Sequence, residues 1–201
     1  MHAIIYSIFT TAMLAVGVLT QLVVPSLPDP EPIPEDGDKD SALHLLNFYR
    51  HQVGVPDLTW GDKNLTDTAQ IAANWVAAAD MPDTPINFTR RALTRRSLNS
   101  SYDLQVAYLD PTIPYQFDDY YMTALSFAAA KPFYKCEAIP LGDFYDYSDY
   151  TQMIWNSTRF VSMARAKNSK NGTFVVAAYS PAGNRPGEKP LNCTAPNSTS
   201  V

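Results

Sequence analysis

Histidine and cysteine are scarce in this chain, and each scarcity excludes chemistry. Three histidines occur in 201 residues. His2 stands at the extreme N-terminus, which leaves His44 and His51 as the side chains able to take up a proton near neutral pH. There is no Gly-x-Ser-x-Gly elbow, no Cys–His pair and no phosphate-binding glycine loop. A Ser–His–Asp set would have to assemble from distant residues around one of two histidines, so no enzymatic activity is expected. The two cysteines, Cys136 and Cys193, form an even count, which in an oxidising compartment favours one disulfide. Closing so long a loop would stabilise the fold by about 4 kcal/mol in the chain-entropy model. Two unpaired thiols are the alternative.

Charge of one sign is also missing from most of the chain. The net charge of −5 equals that of residues 25–40, which hold five prolines, six acidic residues and one lysine. Everything outside them is formally neutral, which removes a bulk electrostatic case for nucleic acid. A stretch so rich in proline and like charge cannot bury enough apolar surface to fold, and it reads as a linker. Residues 3–25 carry no charge at all. Ile4–Leu14 suits the apolar core of a secretory signal peptide, and Ala15-Val16-Gly17 offers small residues for cleavage. The usual positive start is absent and the apolar run continues to Val24, so an uncleaved membrane anchor is the alternative.

Seven Asn-x-Ser/Thr triplets support an extracellular, secreted destination. They make Asn64, Asn87, Asn99, Asn156, Asn171, Asn192 and Asn197 candidates for N-glycosylation. Asn171 is expected at an exposed turn, and Asn156 inside a short helix, where crowding would hinder modification. The chain divides accordingly into a signal peptide (1–24), an acidic linker (25–40), one folded domain (41–187) and a polar tail (188–201).

The stretch from Asp149 to Asn184 organises the domain. A short helical turn feeds two strand-length segments, Phe160–Lys167 and Thr173–Tyr179, with Asn171-Gly172 expected to supply positive φ at the turn between them. The second strand hardly alternates, so it should be covered on both faces. A hairpin of this kind cannot stand alone, and helices must sandwich it. Asp40 or Ser41 is placed to cap a first helix with the stripe Ala42, Leu45, Leu46, Tyr49 and Val53. A second, alanine-rich helix is expected over Leu65–Ala79, with Ala69, Ala72, Ala73 and Val76 inward. Leu104–Tyr108 alternates as a third strand. Asp118 or Asp119 caps a third helix that Pro132 terminates. Arg90, Arg91, Arg95 and Arg96 form a basic cluster with three readings: a solvated loop, a contact for anionic lipid or an acidic partner, or a dibasic processing site.

Three motifs carry a resemblance. Tyr150-Thr-Gln-Met-Ile-Trp155-Asn-Ser-Thr158, Tyr179-Ser-Pro-Ala-Gly-Asn184 and Leu46-Asn-Phe-Tyr-Arg50 resemble signature segments of the CAP superfamily. That family covers cysteine-rich secretory proteins, antigen 5 and plant pathogenesis-related proteins. The resemblance implies an α+β fold, an α-β-α sandwich with a small, mainly antiparallel sheet between helices. It also implies fewer bridges than usual, since Met163 and Ala177 stand where many members place strand cysteines. The family's cleft carries two histidines and two acidic residues that bind zinc in some members. Carried over one by one, the histidines become Leu46 and Asp149, and the acidic residues fall near Tyr102 and Lys131. His44 and His51 lie about 200° and about 140° around the helix from Leu46, too far to replace it. A degenerate metal site follows, with no metal and no cofactor expected. In some members an aromatic-rich segment is associated with sterol binding, which makes Tyr115, Phe117, Tyr120 and Tyr121 the candidate lipid contacts here. These aromatics and the alanine-rich second helix would together line an apolar groove. The functional expectation is a non-catalytic binding protein for a sterol or fatty acid. A protein-interaction module is the alternative, and a metal-dependent hydrolase comes third. Membrane contact would arise only through an uncleaved signal or through lipid.

Overall fold

Alternation in three strands decides the architecture. The computed structural model describes residues 37–79 and 101–192. In chain order it contains α1 (Gly37–Gln52), β1 (Thr59–Trp60), α2 (Lys63–Ala78), β2 (Asp103–Leu109) and α3 (Asp119–Ala128), then a 3-10 turn (Lys131–Phe133), α4 (Ser148–Met153), β3 (Phe160–Lys167) and β4 (Thr173–Ser180). The strands form one sheet in the order β1-β3-β4-β2. β4 pairs antiparallel with β2 and with β3, and only the short β1 runs parallel to its neighbour.

Odd-numbered residues of the long strands, among them Leu109, Val161, Met163, Val175 and Tyr179, enter one apolar layer with α1, α3 and α4. Even-numbered residues Leu104, Val106, Ala164, Val176 and Ala178 enter a second layer under α2. The result is the expected α-β-α sandwich, with β4 buried on both faces as its weak alternation implied. Ala69 and Ala73 are fully buried at the α2–sheet contact, where their small side chains bring the helix close. The Asp62 carboxylate caps α2 by accepting from the Leu65 amide at 3.0 Å.

Local details depart from the sequence reading at four places, each for a physical reason. α1 starts at Gly37, inside the stretch read as linker, because tertiary partners hold its first turn. Asp38 pairs with Arg165 of β3 at 2.5 Å. The expected cap residue Ser41 instead lies inside the helix, with its hydroxyl 2.6 Å from the Asp118 carboxylate. Asp118 does cap α3, accepting from the Tyr121 amide at 2.7 Å. That helix ends at Ala128, ahead of Pro132, which sits at the start of the 3-10 turn where its missing N–H costs nothing. At the hairpin only Asn171 of the Asn-Gly pair adopts positive φ, 65°. A Cβ at Gly172 would collide with the Tyr108 ring, which would have to shift to admit it. Finally, α4 stops at Met153, so Asn156 lies beyond it and is exposed rather than crowded. Among the described residues no helix is long and apolar enough to cross a membrane. The signal segment, most of the linker, the Arg90–Arg96 cluster, Asn87, Asn99, Cys193 and Asn197 lie outside the described residues.

Candidate functional site

The two later sequence motifs meet in space, and their polar side chains lock onto each other. Gln152 of α4 donates to the Thr158 hydroxyl at 3.1 Å and accepts from the Gly183 amide at 2.8 Å. The Thr151 hydroxyl donates to Asn184 Oδ1 at 2.7 Å, and Asn184 Nδ2 donates to the Ser148 carbonyl at 2.9 Å. Gly183 must be glycine here, because a Cβ would stand 2.5 Å from Trp155 Cγ. The first motif joins from α1. Asn47 clamps both the amide and the carbonyl of Leu58, at 2.8 and 3.0 Å. Arg50, fully buried, donates to the carbonyls of Pro56, Met153, Trp155 and Thr158. Burial lowers its pKa to about 10, and it remains cationic at neutral pH. The motif residues therefore hold the loops together. They are framework, not a catalytic set.

The positions carried over for a metal do not converge. Leu46 is fully buried in the apolar layer with Leu45 and Ala42. Asp149 is buried in the first turn of α4. Lys131 is exposed at the 3-10 turn, donating to Gln52 Oε1 at 2.8 Å. Tyr102 packs against the α2 side of the sheet. One residue on, Asp103 has the parity that faces α4, and its carboxylate takes a bond from the Asn184 amide at 3.4 Å. Sequence reasoning missed Asp103; the alternation of Leu104 and Val106 would have found it. Burial pushes the Tyr179 hydroxyl up, and the neighbouring charges of Asp149 and Asp103 push it further. Both carboxylates thus lie within electrostatic reach of one buried tyrosine, beneath the surface. Among the described residues no three His, Cys, Asp or Glu side chains gather as a metal site. His44 is exposed, and His51 is paired with Asp57 at 2.5 Å.

Over this polar layer runs a file of aromatic rings that the sequence did not announce. Phe144 and Tyr147 have centroids 5.9 Å apart, Tyr147 and Tyr134 5.7 Å, Tyr134 and Tyr150 6.4 Å. Tyr49 of α1 lies within electrostatic reach of Tyr150, with Lys131 Nζ 5.5 Å from its ring and Phe48 edge-on at 5.4 Å. Tyr134, Tyr147 and Phe144 are half-buried, whereas Tyr150 is buried. Burial, then the neighbouring Tyr147 and Tyr150, raises the Tyr134 hydroxyl to about 12. Tyr147 and Tyr150 are raised for the same leading reason. The hydroxyls are therefore neutral at pH 7 and able to donate and accept. The strip offers ring faces flanked by hydroxyls and a lysine, and nothing nucleophilic.

The four aromatics expected to contact lipid divide. Tyr120 is fully buried in the core. The Tyr115 hydroxyl accepts from the Asp110 amide at 2.9 Å. Phe117 is 55% exposed and packs on Tyr121 at 4.7 Å. The groove expected between these residues and α2 does not form among the described residues: Tyr115, Tyr120 and Tyr121 join the layer of α1 and α3, whereas α2 lies across the sheet. Cys136 is not a free cysteine, and its expected partner Cys193 lies outside the described residues. Asn64, Asn156, Asn171 and Asn192 are all exposed.

Comparison with solved structures gives the same fold. The hookworm platelet inhibitor superimposes with a TM-score of 0.57 at 17% identity, over 85% of this chain and 84% of that one. NaASP2 with Zn2+ gives 0.53 at 18% identity, over 79% and 89%. Schistosoma mansoni venom allergen-like protein 4 gives 0.51 at 16% identity, over 77% and 96%. No curated protein matches by sequence. The family model for the cysteine-rich secretory protein family, CAP, matches residues 43–179, a span that contains all of the framework described above except Gly183 and Asn184. The chain belongs to the CAP family.

Proposed function

We propose that this protein works by binding at its surface, as a secreted, non-catalytic module, and that its contact surface is the half-buried set Phe144, Tyr147, Tyr134 and Tyr49, with the buried Tyr150 packed against Tyr134. The observation that carries the reading is that partly exposed group of aromatic rings over a close-packed core. Tyrosine brings a large contact area at low conformational cost and one hydroxyl to satisfy, which is why it is enriched where proteins meet. Secretion is supported by the family, by the apolar N-terminal segment and by the sequons. A protein partner is the occupant best matched to the strip, since an extended segment can lay alternate side chains across successive rings.

A second reading keeps lipid. Ile113 and Phe117 are each more than half exposed, at 52% and 55%, and Tyr121 backs Phe117. That patch could receive a sterol or acyl chain on the outer side of α3, without a contribution from α2. The two readings separate in one set of measurements on the secreted protein. A photoreactive residue at position 144 should crosslink to a protein species, and wild type should compete this away. The Tyr134→Ala/Tyr147→Ala variant should not. Radiolabelled cholesteryl acetate and palmitate should show no saturable binding. Saturable lipid binding that falls with Phe117→Ala, together with no crosslink from position 144, would replace the first reading by the second.

A further inference from the structure

We infer that a cleft beside α2 is a cradle for the first sugars of an N-linked glycan carried by Asn64. This rests on the secretory reading above, because a chain outside that pathway receives no such glycan. The cleft holds about 420 Å3 and lies where the start of α2 faces one end of the sheet. Asn64 and Thr68 border it from the helix, one turn apart on a single stripe. Ser101, Tyr102, Phe160 and Ser180 line the opposite side.

Asn64 sits in the triplet Asn64-Leu65-Thr66 and is exposed, with the buried Leu65 beside it reaching the cleft. Across the cleft, Phe160 opens β3 opposite Ser180 and remains 46% exposed. Its ring borders the cleft and supplies an apolar wall there. A pyranose has an apolar face, bounded by hydroxyls. The cleft offers matching chemistry in the rings of Phe160 and Tyr102 and the hydroxyl oxygens of Thr68, Ser101 and Ser180. Its size admits the innermost sugars and excludes a branched antenna. Stacking of this kind is weak for a free sugar. A sugar tethered at Asn64 is held at high effective concentration and has already lost most of its translational freedom, so modest contacts suffice. Asn171 supplies the contrast: it is exposed at the tip of the β3–β4 hairpin and is not among the residues that line this cleft.

The test uses the full chain secreted from a eukaryotic host. Glycopeptide mapping should find Asn64 occupied. Asn64→Gln should lower Tm by about 3 °C or more, while Asn171→Gln should leave it within about 1 °C. In protein made without glycosylation, Asn64→Gln should have no effect, which separates the sugar from the amide. Phe160→Leu keeps the apolar bulk but removes the ring face. It should lower Tm in the glycosylated protein and add little to Asn64→Gln, since both remove one interaction. An empty Asn64 beside an occupied Asn171, equal effects of the two Asn→Gln changes, or additive effects of Phe160→Leu and Asn64→Gln would each overturn the cradle. If no sequon at all were occupied, the secretory reading would fall with it, and that outcome is distinct from the others.

Discussion

Asn184 shows how much a single residue carries here. It adopts φ of 51°, in the left-handed region, and its side chain joins Thr151 to the Ser148 carbonyl while fully within the fold. Asn184→Ala should cost about 2–4 kcal/mol, from stranded buried groups plus left-handed strain. Asn184→Gly loses the same hydrogen bonds without that strain, so it should be milder by about 1 kcal/mol. Urea unfolding of both variants measures the difference, and equal losses would mean that φ plays no part. Gln152→Ala strands Thr158 and the Gly183 amide and should cost a similar 2–4 kcal/mol, roughly, by the same argument. The tyrosines set a second expectation at this scale. Tyr134 and Tyr120 are each raised to about 12, and Tyr147 and Tyr150 are raised as well, with burial the first cause in every case. A phenol raised in the folded state binds a proton that the unfolded chain has already released, so its stabilisation is complete below pH 10 and lost toward pH 12. Arg50 acts in the opposite direction, because a base lowered to about 10 releases its proton first in the folded state. The tyrosines outnumber it. Stability should fall as pH rises above about 10, and the part of the tyrosinate absorbance that belongs to these raised residues should be withheld in the folded protein and appear on unfolding. Full tyrosinate absorbance before any unfolding would contradict the burial of these hydroxyls.

At the scale of elements, the β3–β4 hairpin and β2 act as one unit, because β4 is paired over its length on both sides. The turn is fitted to its neighbour strand: Gly172 leaves room for Tyr108 of β2, whose ring packs on Phe174 at 4.9 Å. Gly172→Ala should therefore destabilise by about 1–3 kcal/mol through overpacking. In a Tyr108→Ala background most of that cost should vanish, since the collision is gone. Thermal melts of the four proteins close this cycle, and strict additivity would place the cost in the turn backbone instead. The same element explains why the hairpin was visible in the sequence while the reason for its glycine was not. Strand length, β-branched content and an Asn-Gly pair are local signals. The collision that a Cβ at Gly172 would meet comes from a residue sixty-odd positions away, and only the antiparallel register of β2 against β4 brings it there.

For the whole molecule, the sandwich separates two jobs. One face of the sheet, under α2, is packed with small and branched residues. The other holds the polar lock, Arg50 and the tyrosine file. Binding is expected on that second side, above the lock. Metal chemistry is not expected there, because Leu46 is enclosed in apolar packing and Asp149 lies in the buried layer below the rings. Added zinc should leave the Tm of the purified domain unchanged. A stoichiometric zinc-dependent rise that disappears on Asp149→Ala would show that the buried carboxylates can reorganise around an ion. Among the described residues Asp103 would be the first candidate second ligand, given its electrostatic reach to the same Tyr179.

Sequence alone was enough for the helices, three of the four strands, the aspartate cap of α3 as helix-start chemistry, and the α-β-α layering. These follow from interactions within a few residues and from alternation, which one chain displays by itself. It also placed the three motifs in order, though not their purpose. Tertiary structure decided that purpose, because Arg50 satisfies carbonyls more than a hundred positions away and Gln152 meets Gly183 across the hairpin. It decided that Asp103 rather than Tyr102 faces α4, since a one-residue change of register reverses every side chain on a strand. It divided the aromatics as well. Tyr115–Phe127 and α2 are both apolar in sequence, but the sheet stands between them, and no local pattern records on which side of a sheet a helix will pack. The tyrosine file is the converse case: Tyr49, Tyr134, Tyr147 and the buried Tyr150 come from α1, a loop, the turn before α4 and α4 itself, and only the packing of α1 and α4 against the same face brings them together.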